Sequence, residues 1–91
     1  MKKAKKYIVE GIVQGVGFRY FTEKIAASIG VTGYVRNMYD GSVEVYAIGT
    51  DEQLERLKER LMSGPSYSKV DNVSEEEAAI DSHYKSFNIK S

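Results

Sequence analysis

Tyr7-Ile8-Val9-Glu10-Gly11-Ile12-Val13 runs straight into Gln14-Gly15-Val16-Gly17-Phe18-Arg19, a strand pattern that meets a glycine loop and then a helical one. Tyr7, Val9 and Val13 alternate with Ile8, Glu10 and Ile12, which is the period of a strand with one face better covered than the other. From Phe18 the apolar positions Phe18, Phe21, Ile25 and Ile29 recur at helical spacing, and Gly30 supplies the residue that most often ends a helix in the left-handed region. Between strand and helix, Gly15 and Gly17 can curl the backbone so that successive N–H groups converge, and the first N–H groups of a helix have no partner within it. Arg19 adds a planar, permanently charged fork that matches two phosphate oxygens. On these residues alone, an anion site the size of one phosphoryl group and a merely structural tight turn fit equally well. The P-loop is excluded because Phe18-Arg19-Tyr20 stands where Lys and Ser or Thr are required, and the dinucleotide fingerprint because Tyr20 takes the place of its third glycine.

Working outward, Val31 to Asn37 returns to strand composition, Asp40-Gly41 marks a tight turn, and Val43, Val45 and Ala47 alternate with Glu44, Tyr46 and Ile48, which together make a hairpin. Thr50-Asp51-Glu52-Gln53 reads as a capping box, and Leu54, Leu57 and Leu61 form the buried stripe of a second helix that Gly64-Pro65 terminates. In Ser66 to Glu77, Val70 and Val73 have the wrong parity for one simple strand, which calls for a bulge or a late start. Glu75-Glu76-Glu77 reads as a solvated edge. Tyr84 to Lys90, with Phe87 and Ile89 on one face, is expected to be a last short strand. The order strand, helix, strand, strand, helix, strand is the split βαβ repeat of the ferredoxin-like α+β sandwich, with two helices on one face of a mainly antiparallel sheet.

Ninety-one residues with 42% apolar content are expected to make one folded domain, residues 1–91. Thirteen basic and thirteen acidic residues cancel, so no overall field draws in nucleic acid or an anionic membrane, and the expected partner is a small molecule. The seven tyrosines are scattered over both faces and read as packing rather than as a base-stacking platform. The absence of cysteine fits a reducing compartment. The basic opening Met1 to Lys6 is followed by an apolar run too short for a signal or spanning segment, so a cytoplasmic location is expected.

Two long stretches carry a resemblance. Val9 through Arg19 resembles the first signature of the acylphosphatases, and Gly33-Tyr34-Val35-Arg36-Asn37, continued through Gly41, Val43 and Gly49, resembles the second. Gly64-Pro65 with Val70 and Val73, and the ending Phe87-Asn88-Ile89-Lys90, also look like features of that family. The resemblance implies hydrolysis of acyl phosphates to a carboxylate and inorganic phosphate by a monomer, with no metal and no cofactor. It implies that Arg19 binds the phosphoryl group, that the backbone N–H groups of Gly15, Val16, Gly17 and Phe18 complete a cradle, and that the Asn37 carboxamide places the attacking water. Without the resemblance, Arg19 is as well read as a helix-surface cation, and Asn37 as a turn former before Met38-Tyr39-Asp40-Gly41. His83, the only histidine, lies outside both signatures and reads as a surface residue. A binding-module reading competes, because similar domains stand at the front of larger carbamoyl-transferring maturation proteins. No cysteine pair or histidine cluster offers a metal site.

Overall fold

The strand, helix, strand, strand, helix, strand order is observed, with the short extra strand after it. The computed structural model describes Met1 to Ser91 and contains β1 (Lys3–Ile12), α1 (Phe18–Ile29), β2 (Thr32–Asn37), β3 (Val43–Gly49), α2 (Asp51–Ser63), β4 (Lys69–Ala78) and β5 (Phe87–Lys90). The sheet order is β4-β1-β3-β2-β5, antiparallel except for the parallel β2–β5 pair. Both helices lie on one face, and no helix is long and apolar enough to cross a membrane.

The helix-facing core joins Tyr7, Val9 and Val13 of the first strand region to Val35, Val43, Val45 and Ala47, with Phe18 and Ile25 from α1 and Leu54, Leu57 and Leu61 from α2. Each helix is set by its ends. Gly30, at φ 99°, closes α1 through its N–H to the Ala26 carbonyl, and the expected capping box opens α2: Gln53 N–H donates to Thr50 Oγ1 and Thr50 N–H to Gln53 Oε1. Gln53 also donates from Nε2 to the Ile29 carbonyl at 3.1 Å, which ties the start of α2 to the end of α1.

Four sequence expectations are corrected or refined. The first strand begins at Lys3 and ends at Ile12, not Tyr7 to Val13, because backbone pairing to β3 and β4 on both sides outweighs the polarity of Lys3 to Lys6. The last strand begins at Phe87 rather than Tyr84. Tyr84 instead closes a turn, its N–H donating to the Asp81 carbonyl, and its ring packs with Tyr34 and Tyr46. The acidic run is an edge, as expected, but Glu75 is not simply solvated: its carboxylate lies 2.6 Å from Lys5 Nζ and 2.7 Å from Lys58 Nζ. The parity problem of Val70 and Val73 resolves as a bulge. Glu10 pairs with Asn72 and Gly11 with Val70, so Asp71 is the extra residue and both valines reach the core.

The opposite face of the sheet was the part least visible in the sequence. Every residue of β3 is buried, including Glu44, which is 4% exposed. Arg36 Nε donates to Glu44 Oε1 at 2.7 Å, Tyr34 OH to the same oxygen at 2.9 Å, and Lys6 Nζ stands 3.8 Å from Oε2. Burial pushes the Glu44 carboxyl up, but these hydrogen bonds and charges outweigh it and hold the group below the usual carboxylate range. The unfolded chain, with a carboxyl near about 4.3, therefore takes up this proton first as pH falls, and the stability present at neutral pH is lost in acid. Urea midpoints of wild type and Glu44→Gln measured across the acid range should differ most near neutrality, wild type being the more stable. The gap should close as pH falls; a constant gap would show that the carboxylate charge is not what stabilises this face.

Candidate active site

The anion loop begins where β1 leaves the sheet and ends where α1 starts. Gly15 has φ 74° and Gly17 φ 76°, while Val16 between them has no positive φ. Two left-handed positions one residue apart bend the chain sharply, the kind of turn in which successive N–H groups can be brought to one side. A Cβ at either glycine would meet nothing within 4 Å, so the positive φ and not crowding requires glycine there. Gly17 caps α1 without any side-chain hydrogen bond, and the first turn carries no acidic residue. The first helix-initiating bond runs from Phe21 N–H to the Gly17 carbonyl, and the N–H groups of Gly15 to Arg19 donate to no backbone carbonyl. The positive end of the helix dipole is thus left open toward the loop.

Arg19 makes no ion pair. Its Nη1 donates to the Lys90 carbonyl at 3.2 Å, which steers the guanidinium with a neutral acceptor and leaves its charge unneutralised. Asn37 ends β2 and pairs with Val43. Its Oδ1 is buried and has no hydrogen-bond partner in the protein. A buried acceptor of this kind costs free energy unless a water or ligand donor satisfies it.

Loop, arginine and asparagine meet in one cavity of about 200 Å³, which Gly15, Gly17, Phe18, Arg19 and Asn37 all line and which Ile89 of β5 helps to close. Of the loop residues expected to form the cradle, Val16 alone does not line the cavity; its side chain packs against the core, so Val16 can offer the cavity its backbone alone. His83 stands apart, exposed on the turn before β5, with Nδ1 2.8 Å from the Asp81 carboxylate. Two features of the site gave no legible sequence signal. The Lys90 carbonyl against Arg19 is separated from it by 71 residues. Gln14 Nε2 donates to the carbonyls of Met38 at 2.7 Å and Ser42 at 2.9 Å, on the turn that follows Asn37.

Known proteins match this chain along nearly its whole length. The acylphosphatase family model matches residues 5–89. An acylphosphatase of Pasteurella multocida is 51% identical over 94% of this chain and 96% of its own, and one of Thermotoga maritima is 52% identical over 97% of each. The crystal structure of acylphosphatase from Bacillus subtilis superposes with a TM-score of 0.93 at 36% identity, covering 100% of both chains.

Unpartnered loop N–H groups, an unneutralised arginine and a free helix terminus should take up inorganic phosphate. A ligand bound only by the folded state stabilises it by about 2.7 kcal/mol at a hundredfold excess over its dissociation constant, enough to raise the melting temperature of a domain this size by several degrees. Arg19→Gln should lose most of that phosphate-dependent rise, and Asn37→Ala should retain most of it. Equal shifts in wild type and Arg19→Gln would place the anion elsewhere.

Proposed function

The chain belongs to the acylphosphatase family, an enzyme that hydrolyses acyl phosphates, and from that premise we propose that Arg19 and the Gly15–Phe18 backbone hold the phosphoryl group while Asn37 places the attacking water. The observation that carries the assignment is the meeting of a glycine loop with unpartnered N–H groups, a guanidinium without a carboxylate partner and a buried amide oxygen without a partner around one small cavity.

The chemistry demands little beyond these groups. An acyl phosphate is a mixed anhydride whose leaving group is a carboxylate, stable as an anion at neutral pH and in no need of a strong general acid. What remains is to hold the phosphoryl oxygens against their charge and to present water in line with the bond that breaks. The loop N–H groups and the Arg19 fork supply fixed positive partners for those oxygens, including the charge that develops on them. Asn37 Oδ1 accepts a hydrogen bond from the water and directs its lone pair at phosphorus. As the water oxygen bonds to phosphorus, the P–O bond to the acyl group breaks with its electron pair going to the carboxylate, which leaves on the side away from Asn37, while the proton released by the water passes to a phosphoryl oxygen or to solvent. An amide suits this task because it orients water without titrating. Inorganic phosphate and a small acyl phosphate are the expected ligands.

Steady-state hydrolysis of benzoyl phosphate separates the two roles. Arg19→Gln should abolish detectable turnover, and Arg19→Lys should restore little of it, because a point charge does not reproduce the fork. Asn37→Ala should lower kcat at least about a hundredfold with a much smaller change in KM, as expected when one preorganised polar contact is removed. Near-normal kcat/KM in Arg19→Gln would sink the first assignment. A change confined to KM in Asn37→Ala would make that residue a binding group and remove the second.

A further inference from the structure

Gln14 lies in the glycine loop, yet its side chain serves a different part of the chain. Its Nε2 donates both hydrogens across the fold, to Met38 O at 2.7 Å and Ser42 O at 2.9 Å. These two carbonyls stand at the neck of the turn between β2 and β3, one immediately after Asn37 and the other immediately before Val43. Each already accepts one backbone hydrogen: Met38 O from Gly41 N–H at 3.2 Å, and Ser42 O from Met38 N–H at 2.8 Å. A carbonyl has two lone pairs, so the Gln14 amide completes both acceptors. Asp40 secures the same turn from within, accepting from Ser42 N–H at 3.0 Å and from Ser42 Oγ at 2.6 Å.

We infer that Gln14 is a positioning residue that fixes the end of β2, and with it the Asn37 carboxamide, to the anion loop. The inference rests on the water-placing role of Asn37 proposed above. The loop and β2 are distant in sequence and joined here by no strand pairing, since β3 stands between β1 and β2. Without this clamp the neck is tied to the cradle only indirectly, through β3 and the turn's own bonds, and displacement of a reacting group by about 1 Å can cost a hundredfold in rate. The side-chain type is specific to the task. Two carbonyls facing one group require two donors on one atom without charge; a glutamate offers two acceptors when ionised and one donor when protonated.

Three measurements on the full chain test this. Gln14→Met, similar in length but without a donor, should lower benzoyl phosphate kcat roughly ten- to hundredfold while KM and the phosphate-dependent rise in melting temperature stay within about twofold. Amide exchange followed by NMR should accelerate at Met38 and Gly41, whose N–H groups close the turn, and not in the α1 core. Gln14→Glu should show a kcat that climbs as pH is lowered and its carboxyl gains a donor, where wild type is flat. If Gln14→Met does not fold, Asp40→Ala loosens the same neck from an exposed position and should reproduce the loss in kcat at unchanged KM. Wild-type kcat in Asp40→Ala would then overturn the inference, as would a Gln14→Met defect that appears in phosphate binding and not in kcat. Loss of kcat in Asn37→Ala without loss in Gln14→Met removes the clamp alone, whereas intact kcat in both removes the parent assignment with it.

Discussion

Val43 is fully buried and pairs on one side with Val9 and on the other with Asn37. That row is the constraint on which the site depends. Because β3 is antiparallel to both neighbours, β1 and β2 run in the same direction, and the chain leaves both at the same end of the sheet. At about 4.8 Å per strand, the backbones of Val9 and Asn37 stand roughly 10 Å apart. The odd-numbered residues of β1 face the helices, so the loop after Ile12 turns toward α1, whose N-terminus then looks across the end of the sheet at Asn37. The parallel β5 finishes at the same end of the sheet, which is how the Lys90 carbonyl comes to meet Arg19.

The two faces of the sheet divide their work. The helix side carries the large apolar core and opens at one edge onto the cavity. The other side holds a smaller cluster of Ala4, Tyr46 and Ile48 with Tyr34, Ala78 and Tyr84, around the buried Glu44. Tyr46 OH donates to the Ala79 carbonyl and accepts from Asp81 N–H, which fastens the segment before β5 onto the sheet. Lys90 Nζ lies 4.2 Å from the Tyr34 ring centre, so the residue whose carbonyl steers Arg19 is itself held from the far face. Arg36 and Asn37 are adjacent on β2 but point to opposite sides, one into an ion pair and the other into the cavity.

The proposed chemistry agrees with the electrostatics of the site. In the proposal, substrate charge is met by backbone dipoles, a helix terminus and one guanidinium. The carboxyls held below their usual range, those of Asp40, Glu44, Glu75 and Asp81, are engaged in turns and ion pairs outside the cavity.

Local rules made most of the architecture legible from the residues. Period-two alternation, helical spacing, the Thr50 capping box, Gly30 and the clash of parity at Val70 and Val73 each depend on neighbours within a few positions, and the order of elements they imply left one compact sandwich to consider. The glycine loop and Arg19 suggested an anion for the same reason. Asn37 was different: alone it was a plausible turn residue, and it drew attention only through the resemblance of its surroundings. What tertiary structure decided were the relations between distant segments. The burial of both faces of β3, the engagement of Glu75 by two lysines, the reach of Lys90 to Arg19 and the grip of Gln14 on Met38 and Ser42 all follow from strand register and crossover. Such contacts leave no periodic trace, because a hydrogen bond between residues 24 or 71 positions apart constrains each partner's chemistry without fixing anything about the residues beside it.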